Sequence, residues 1–260
     1  MRHLRFGSVL TLFLCSAGLA EARYLPDCAG AAESRGGIVA HVEAGGALVL
    51  KDGRVVVPEG IRLPKGRLDH APDDAMRQAQ STLSDLVTGK FATLAVPAPK
   101  YDRHGRLRAQ VGVSGEWLQE AMLREGLARV FLLPTHPQCA KEMYAAEDAA
   151  RDAKRGLWAL PEYAVRSPEN LKHDRGTFQI VEGRVVSAVV KGGRAYLNFS
   201  DDWKNDFTVT IAPGDMKTFR KHHVDPRDYA GKTIRVRGII DWYRGPEIEL
   251  MGPESIEVLH

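Results

Sequence analysis

The stretch from Ile38 to Lys65, IVAHVEAGGALVLKDGRVVVPEGIRLPK, constrains the fold more than any other part of the chain. Apolar and polar residues alternate from Ile38 to Val42. A Gly45-Gly46 turn leads into Ala47 to Leu50, and Asp52-Gly53 turns the chain into Arg54 to Val57. Alternation cut by glycine turns at such short spacing predicts three antiparallel strands.

Those segments follow. A polar loop from Gly66 to Asp73 precedes a helix whose Met76, Ala79, Leu83 and Leu86 share one face, with Pro72 and Asp73-Asp74 at its start and Gly89 at its end. Phe91 to Val96 and Leu107 to Val113 read as two more strands, joined by PAPKYDRHGR. Helices are expected from about Glu116 to Glu125 and from about Ala140 to Arg155, closed by Gly156-Leu157-Trp158. Residues 36–158 thus predict a domain of five strands and three helices. Residues 159–175, with Pro161, Pro168 and many charges, read as a linker.

Strands resume over residues 176–260. Thr177 to Val190 is long enough to bend, at Gly183 on this reading, and Lys191-Gly192-Gly193 turns it into Ala195 to Phe199. Phe207 to Ile211, a short helix near Gly214 to His223, Thr233 to Asp241 and Glu247 to Met251 complete the set, with Ile256 to Leu259 at an edge. Five strands with one helix between the third and fourth is the order of an OB barrel. The predicted fold class is therefore mainly β with α (α+β): two five-stranded OB-type barrels.

The first domain resembles the staphylococcal nuclease (thermonuclease) family. That family opens V-x-D-G-D-T, then a hairpin, then R-L-x-G-I-D-x-P-E. Gly45, Asp52-Gly53, Gly60-Ile61 and Pro64 hold this frame without a gap, Asp102 to Arg106 matches D-x-x-G-R, and Gly156-Leu157-Trp158 matches the closing G-L-W. The second half is similar to the C-terminal OB-like domain of some proteobacterial thermonuclease-family proteins, through Tyr196 to Phe199, Asp206 to Val209 and Ile234 to Gly238. The resemblance implies a barrel with helices packed on it. It also shows what is missing. The two aspartates of D-G-D-T are Ala44 and Gly46, the catalytic arginine is Val57, the metal-binding aspartate is Arg62, and the general-base glutamate is Lys65. Arg106 alone stands where the family's second catalytic arginine stands.

A nuclease of this kind needs carboxylates for a hard cation, a base for water and arginines for the phosphate. With Gly46, Arg62 and Lys65 at those positions, no calcium, no other metal and no cofactor is expected. The resemblance then implies a pseudoenzyme in which Arg62, Lys65 and Arg106 hold an anion such as phosphate. The competing reading is a solvated basic rim. A phosphodiesterase remains as the alternative if Asp69 and Asp73, in DHAPD, stand in for D-x-P-E and converge with Arg62 and Arg106.

In the second barrel, Arg235 and Arg237 alternate with Ile234 and Val236 and are expected to point outward. With Trp203, Trp242 and Tyr243 as stacking surfaces they form a candidate single-strand nucleic-acid face. Barrel-capping aromatics and solvated arginines are the competing account. His222-His223 with Asp225 fits no common zinc spacing and reads as a polar helix end.

Residues 1–22 have the basic start, the apolar run and the Ala20-Glu21-Ala22 cleavage signal of a secretory leader. The expectation is a periplasmic or secreted protein with no stable membrane anchor after cleavage, and with residues 23–35 as an N-terminal tail. Cys28 and Cys139 would remain, as a disulfide or as two free thiols. Lys and Arg number 36 against 33 Asp and Glu, a formal +3 too small to argue for nucleic acid alone. The partners expected are single-stranded nucleic acid or another anionic ligand, or a periplasmic protein.

Overall fold

The computed structural model describes residues 25–30, 36–202 and 206–259. The predicted leader and Trp203 lie outside the described residues. Five strands build the first barrel: β1 (Gly37–Val42), β2 (Leu48–Leu50), β3 (Val55–Pro58), and, beyond β4 (Gly60–Arg62), α1 (Gly66–Asp69) and α2 (Asp73–Val87), β5 (Phe91–Ala95) and β6 (Leu107–Val113). The hairpins pair as their glycine turns require, Val42 opposite Leu48 and Leu48 opposite Val56. The order β3-β2-β1-β5-β6 closes on itself because β3 also pairs with β6 in parallel, Val56 opposite Leu107. Closure leaves these five strands without an open edge.

The helices plug the barrel. Ala79 and Leu83 of α2 are buried as its spacing predicts, but Ala75 and Val87 complete the inward face, and Met76 and Leu86 are only half-buried beside it. After β7 (Glu116–Trp117), α3 (Leu118–Arg124) and α4 (Ala140–Asp152) pack together and bury Met122, Leu123, Met143 and Ala146. The sequence did not reveal β4, which pairs with β8 (Arg129–Phe131), Ile61 opposite Val130. Three residues are too few for a periodic signal. Gly60 enters β4 at φ 90°, and a Cβ there would stand 2.5 Å from the Met143 sulfur, so helix α4 sits against bare backbone. Cys28 and Cys139 form a disulfide that ties the N-terminal segment to the start of α4.

The second barrel repeats the plan with β9 (Phe178–Arg184), β10 (Ser187–Lys191), β11 (Arg194–Asn198), β12 (Thr208–Ile211), α5 (Met216–Lys221), β13 (Thr233–Ile239), β14 (Asp241–Trp242), β15 (Pro246–Leu250) and β16 (Ile256–Leu259). Here β12 and β15 make the parallel pair, Val209 opposite Ile248, and β13 lies between β9 and β16. An OB-type order fits these pairings. The long first strand breaks after Arg184, with Val185 buried at the corner, and not at Gly183. Gly183 serves close packing instead: a Cβ there would lie 2.7 Å from Pro168 and 2.8 Å from the Phe199 ring.

The segment 159–175 joins the barrels and is itself packed. Tyr163 and Leu171 are buried, and Tyr163 shares an apolar cluster with Ala71, Ala75, Trp158 and Ile180, which come from both halves.

Candidate anion-binding site

The positions that the resemblance marks, Gly46, Val57, Arg62, Lys65 and Arg106, all belong to the first barrel and the segment that follows its third strand. Gly46 sits in the β1–β2 turn at φ 93°, its amide donating to the Glu43 carbonyl. A Cβ at Gly46 would lie 3.2 Å from Leu63 and 3.4 Å from Leu83. A carboxylate there would be pushed against leucine methyls. Val57 is half-buried on β3, opposite Arg108 of β6. Neither position offers an oxygen to a cation.

Arg62 does not line an open pocket. Its guanidinium donates to the Asp69 carboxylate at 2.9 Å and lies 5.0 Å over the Phe178 ring of the second barrel and 6.0 Å over Phe131. The expectation that it contributes to an open anion pocket is corrected: Asp69 and two aromatic faces occupy it.

Asp69 is 1% exposed. Its Oδ1 receives Arg62 and lies 3.0 Å from Arg129, and its Oδ2 accepts the Lys65 amide at 2.9 Å. Both oxygens are spent on the fold, and two guanidinium groups surround them. Asp73, by contrast, is exposed in the first turn of α2. Of the four residues that the alternative reading brings together, Asp69 and Arg62 meet, but Asp69 is buried while Asp73 is exposed. The donor set at the family positions, a glycine, a valine, an arginine and a lysine, does not fit a calcium ion.

Two cations do face outward here. Lys65 is exposed at the start of α1, beside a cleft of about 1090 Å³ lined also by Leu63, Pro64, Met76, Gln80 and Ala44. Partial burial, then Arg62 and Arg106, push its pKa down, while Asp69 opposes them. Arg106 is the second of these cations. Its own guanidinium is paired with Asp102 at 2.7 Å and remains 39% exposed. Burial raises the Asp102 pKa, but the Arg106 amide and guanidinium and the His104 amide outweigh it and hold the acid at about 2. The loop is built around this carboxylate, which fixes the arginine that the D-x-x-G-R pattern marks.

The second barrel's arginines are elsewhere. Arg237 is 3% exposed. It donates to Glu147 of α4 at 2.8 Å, to Glu257 at 2.6 Å and to the Val130 carbonyl at 3.2 Å, and lies 4.4 Å over the Tyr144 ring. Arg235 pairs with Glu182 at 3.0 Å and approaches Asp148 at 3.6 Å. Both project from the barrel surface, as alternation requires, but that surface is docked on α4. The expectation of an open nucleic-acid face at Arg235 and Arg237 is corrected accordingly. Trp242 and Tyr243 are exposed at 37% and 69%. His222 and His223 end α5 as exposed residues. Among the described residues, the His, Cys, Asp and Glu side chains close enough to share an ion are Cys28, Cys139 and Glu142, two of them joined in the disulfide.

Sequence reasoning missed Glu147 and Arg129. A signal existed for the first. Glu147 follows Met143 by four residues and precedes Ala150 by three, so it falls on the apolar face of α4, where a carboxylate demands a partner. Arg129 gave none, since its partners, the Phe178 carbonyl, Asp69 and Tyr163, are distant in sequence.

A closed five-stranded barrel with helices on its open end, carrying an aspartate-braced arginine in a D-x-x-G-R loop, is the architecture of a nuclease-type OB domain. Residues 58–160 match the family model described as staphylococcal nuclease homologue. It is similar to an uncharacterized 38.1 kDa protein of Capnoides sempervirens, 34% identical over 93 residues covering 34% of this chain and 26% of that one. It is also similar to an uncharacterized protein of Bacillus anthracis, 30% identical over 91 residues covering 34% of this chain and 42% of that one. The match thus spans about a quarter of one relative and two fifths of the other.

Proposed function

We propose that this nuclease-family protein binds an anionic ligand, with phosphate as the recognised group, through Lys65 and Arg106, and does not hydrolyse it by the family's calcium chemistry. The observation that carries the reading is the pairing of Asp69 with Arg62 and Arg129, which leaves two outward cations and no free carboxylate at the inherited site. Nucleic acid is the ligand class that the family favours. Export is part of the same proposal, and the Cys28–Cys139 disulfide supports it, since such bonds persist in oxidising compartments. Among the described residues no helix is long and apolar enough to cross a membrane.

The test uses labelled single-stranded DNA and RNA with the purified chain, with and without Ca²⁺, following retention and cleavage together. Retention that falls with salt and with Arg106→Ala, without cleavage, is the expected result. Calcium-dependent cleavage that survives Asp69→Asn and Asp73→Asn would overturn the reading and place a carboxylate site elsewhere. Cleavage abolished by chelator and by either substitution would establish the phosphodiesterase alternative.

A further inference from the structure

The first barrel meets the second at Phe131 of β8, whose ring packs edge-on against Phe178 of β9 at 5.6 Å. Beside that contact lies a cleft of about 550 Å³. Leu132 and Phe178 line it from the two sides of the junction, and Ile239 and Met251 line it from the second barrel alone. Ile239 and Met251 are 45% and 49% exposed. The junction therefore covers part of an apolar surface and leaves the rest facing solvent.

Three carboxylates share this cleft: Asp241 of β14, and Glu247 and Glu249 of β15. Ile248 and Leu250 point into the core, so Glu247 and Glu249 stand together on the outer face. Asp241 lies directly opposite Glu247 in the antiparallel ladder, where like charges destabilise a sheet. Burial, then Asp241 and Glu249, push the Glu247 carboxyl above its ordinary range, and Arg194 opposes them. The protein answers only part of this charge. Arg194 pairs with Glu249. Arg175 also lines the cleft and Arg244 lies over the Tyr243 ring, but among the described residues neither pairs with a carboxylate.

The three acids do not form a metal centre. Among the described residues, the side chains close enough to share an ion are Cys28, Cys139 and Glu142, far from this cleft in the chain. A ligand that answers these acids therefore carries cations held apart from one another. The cleft also holds a donor: Arg237 is 3% exposed, lines the cleft, and its buried Nε has no acceptor in the protein. Its two other nitrogens are spent on Glu147, Glu257 and the Val130 carbonyl.

We infer that this cleft docks a basic segment of a partner protein, with lysine or arginine side chains at Asp241 and Glu247, an apolar side chain against Ile239 and Met251, and a main-chain carbonyl toward Arg237. The inference is independent of the anion-binding reading, whose residues lie on the first barrel. Charge complementarity selects the partner: the unneutralised charge of the cleft is negative and its open wall is apolar. A peptide supplies cations, apolar side chains and carbonyls together. A metal ion or a polyamine supplies the cations alone. The opposed pair Asp241 and Glu247 weakens the free sheet, and a partner's cation between them removes the repulsion.

The experiment compares the full chain with Asp241→Asn/Glu247→Gln and with Met251→Ser. The probe is a fluorescein-labelled peptide of alternating lysine and leucine, set against the same peptide with serine for leucine and with glutamate for lysine. The full chain should bind the lysine–leucine peptide, less tightly as salt rises. The double variant should bind it with affinity lower by on the order of tenfold. That variant should also melt at a higher temperature, because the ladder repulsion is gone. Acids that served only the fold would lower the melting temperature and leave binding unchanged, which overturns the inference. Met251→Ser should weaken the lysine–leucine peptide and leave the lysine–serine peptide unaffected. Failure of the full chain to bind the lysine–leucine peptide, or equal binding of the glutamate peptide, overturns the inference. Displacement of the probe by an equal concentration of spermidine or Ca²⁺ assigns the acids to a free cation and overturns the docking.

Discussion

The two barrels share one plan and use it in opposite ways. Each has one parallel strand pair, Val56 with Leu107 and Val209 with Ile248, but only in the first does that pair join the strands into a closed ring; the second region holds a five-stranded and a three-stranded sheet. In the first barrel helix α2 is fifteen residues long, and one side of it borders the cleft beside Lys65. In the second, α5 is six residues long and only Phe219 is buried from it. The first barrel leaves Lys65 and part of Arg106 exposed. The second turns β13 onto α4 and closes its most charged strand face. An OB-type barrel therefore presents a binding surface only where another element leaves it free.

The docking is electrostatic at its centre, and this is where the comparison breaks most visibly. Burial disfavours the Arg237 charge, but Glu147 and Glu257 more than offset it, so the guanidinium stays protonated at all accessible pH. Replacing Arg237 with Met leaves Glu147, itself fully buried, without its closest cation. The expected cost is about 3–5 kcal/mol. Chemical denaturation should change from one transition to two as the barrels uncouple. A single unshifted transition would show that the interface does not depend on this pair.

Asp69→Asn sharpens the contrast on the first barrel's side. It leaves Arg62 and Arg129 facing a neutral amide, with an expected loss of about 3 kcal/mol. Oligonucleotide retention measured below the new melting temperature should change little, because Asp69 holds the fold and not the ligand. A selective loss of binding in a stable variant would assign Asp69 to the site after all.

Cys28→Ser tests how far the first barrel relies on its covalent tie. The bridge spans 111 residues, and its removal should cost about 2–4 kcal/mol by releasing the unfolded chain. Because Cys139 precedes α4, the loss should reach the docked second barrel as well. A differential scan that lowers only one of two transitions would contradict this.

The smallest effect concerns acid. The Asp102 pKa is depressed from 3.8 to about 2 by the hydrogen bonds it accepts, so its stabilisation of the Arg106 loop is present above about pH 4 and is lost as pH falls through about 2. Amide exchange and chemical shifts of Arg103 to Arg106 should report the release. The second barrel's Asp225, lowered for the same kind of reason by Arg227, should release only its own turn. Loosening of the Arg106 loop already at neutral pH would refute the assignment.

Much of the fold was written locally. Gly45-Gly46 and Asp52-Gly53 set the first two hairpins, because short connections with positive φ leave the chain few options. The spacing of Met76, Ala79, Leu83 and Leu86 predicted α2, although the fully buried face turned out one position round, at Ala75, Ala79, Leu83 and Val87. The absence of carboxylates at Gly46, Arg62 and Lys65 was equally legible, since it needs only the frame. The partners were not. Alternation placed Arg235 and Arg237 outside their barrel, but no periodicity tells a strand whether water or another domain lies there. Sequence spacing brought Asp69 and Asp73 near each other, yet one is buried beneath two arginines and the other is exposed on a helix.

By itself the sequence determined the first barrel's hairpins, the β-rich second region and the longer helices, because turns, periodicity and residue identity are properties of neighbouring residues. Only the tertiary structure decided that Arg62, Arg129 and Arg237 serve the junction while Lys65 and Arg106 remain in solvent. A buried charge is stable only where its counter-charge arrives, and Asp69, Glu147 and Phe178 reach those arginines through folding, from separate parts of the chain.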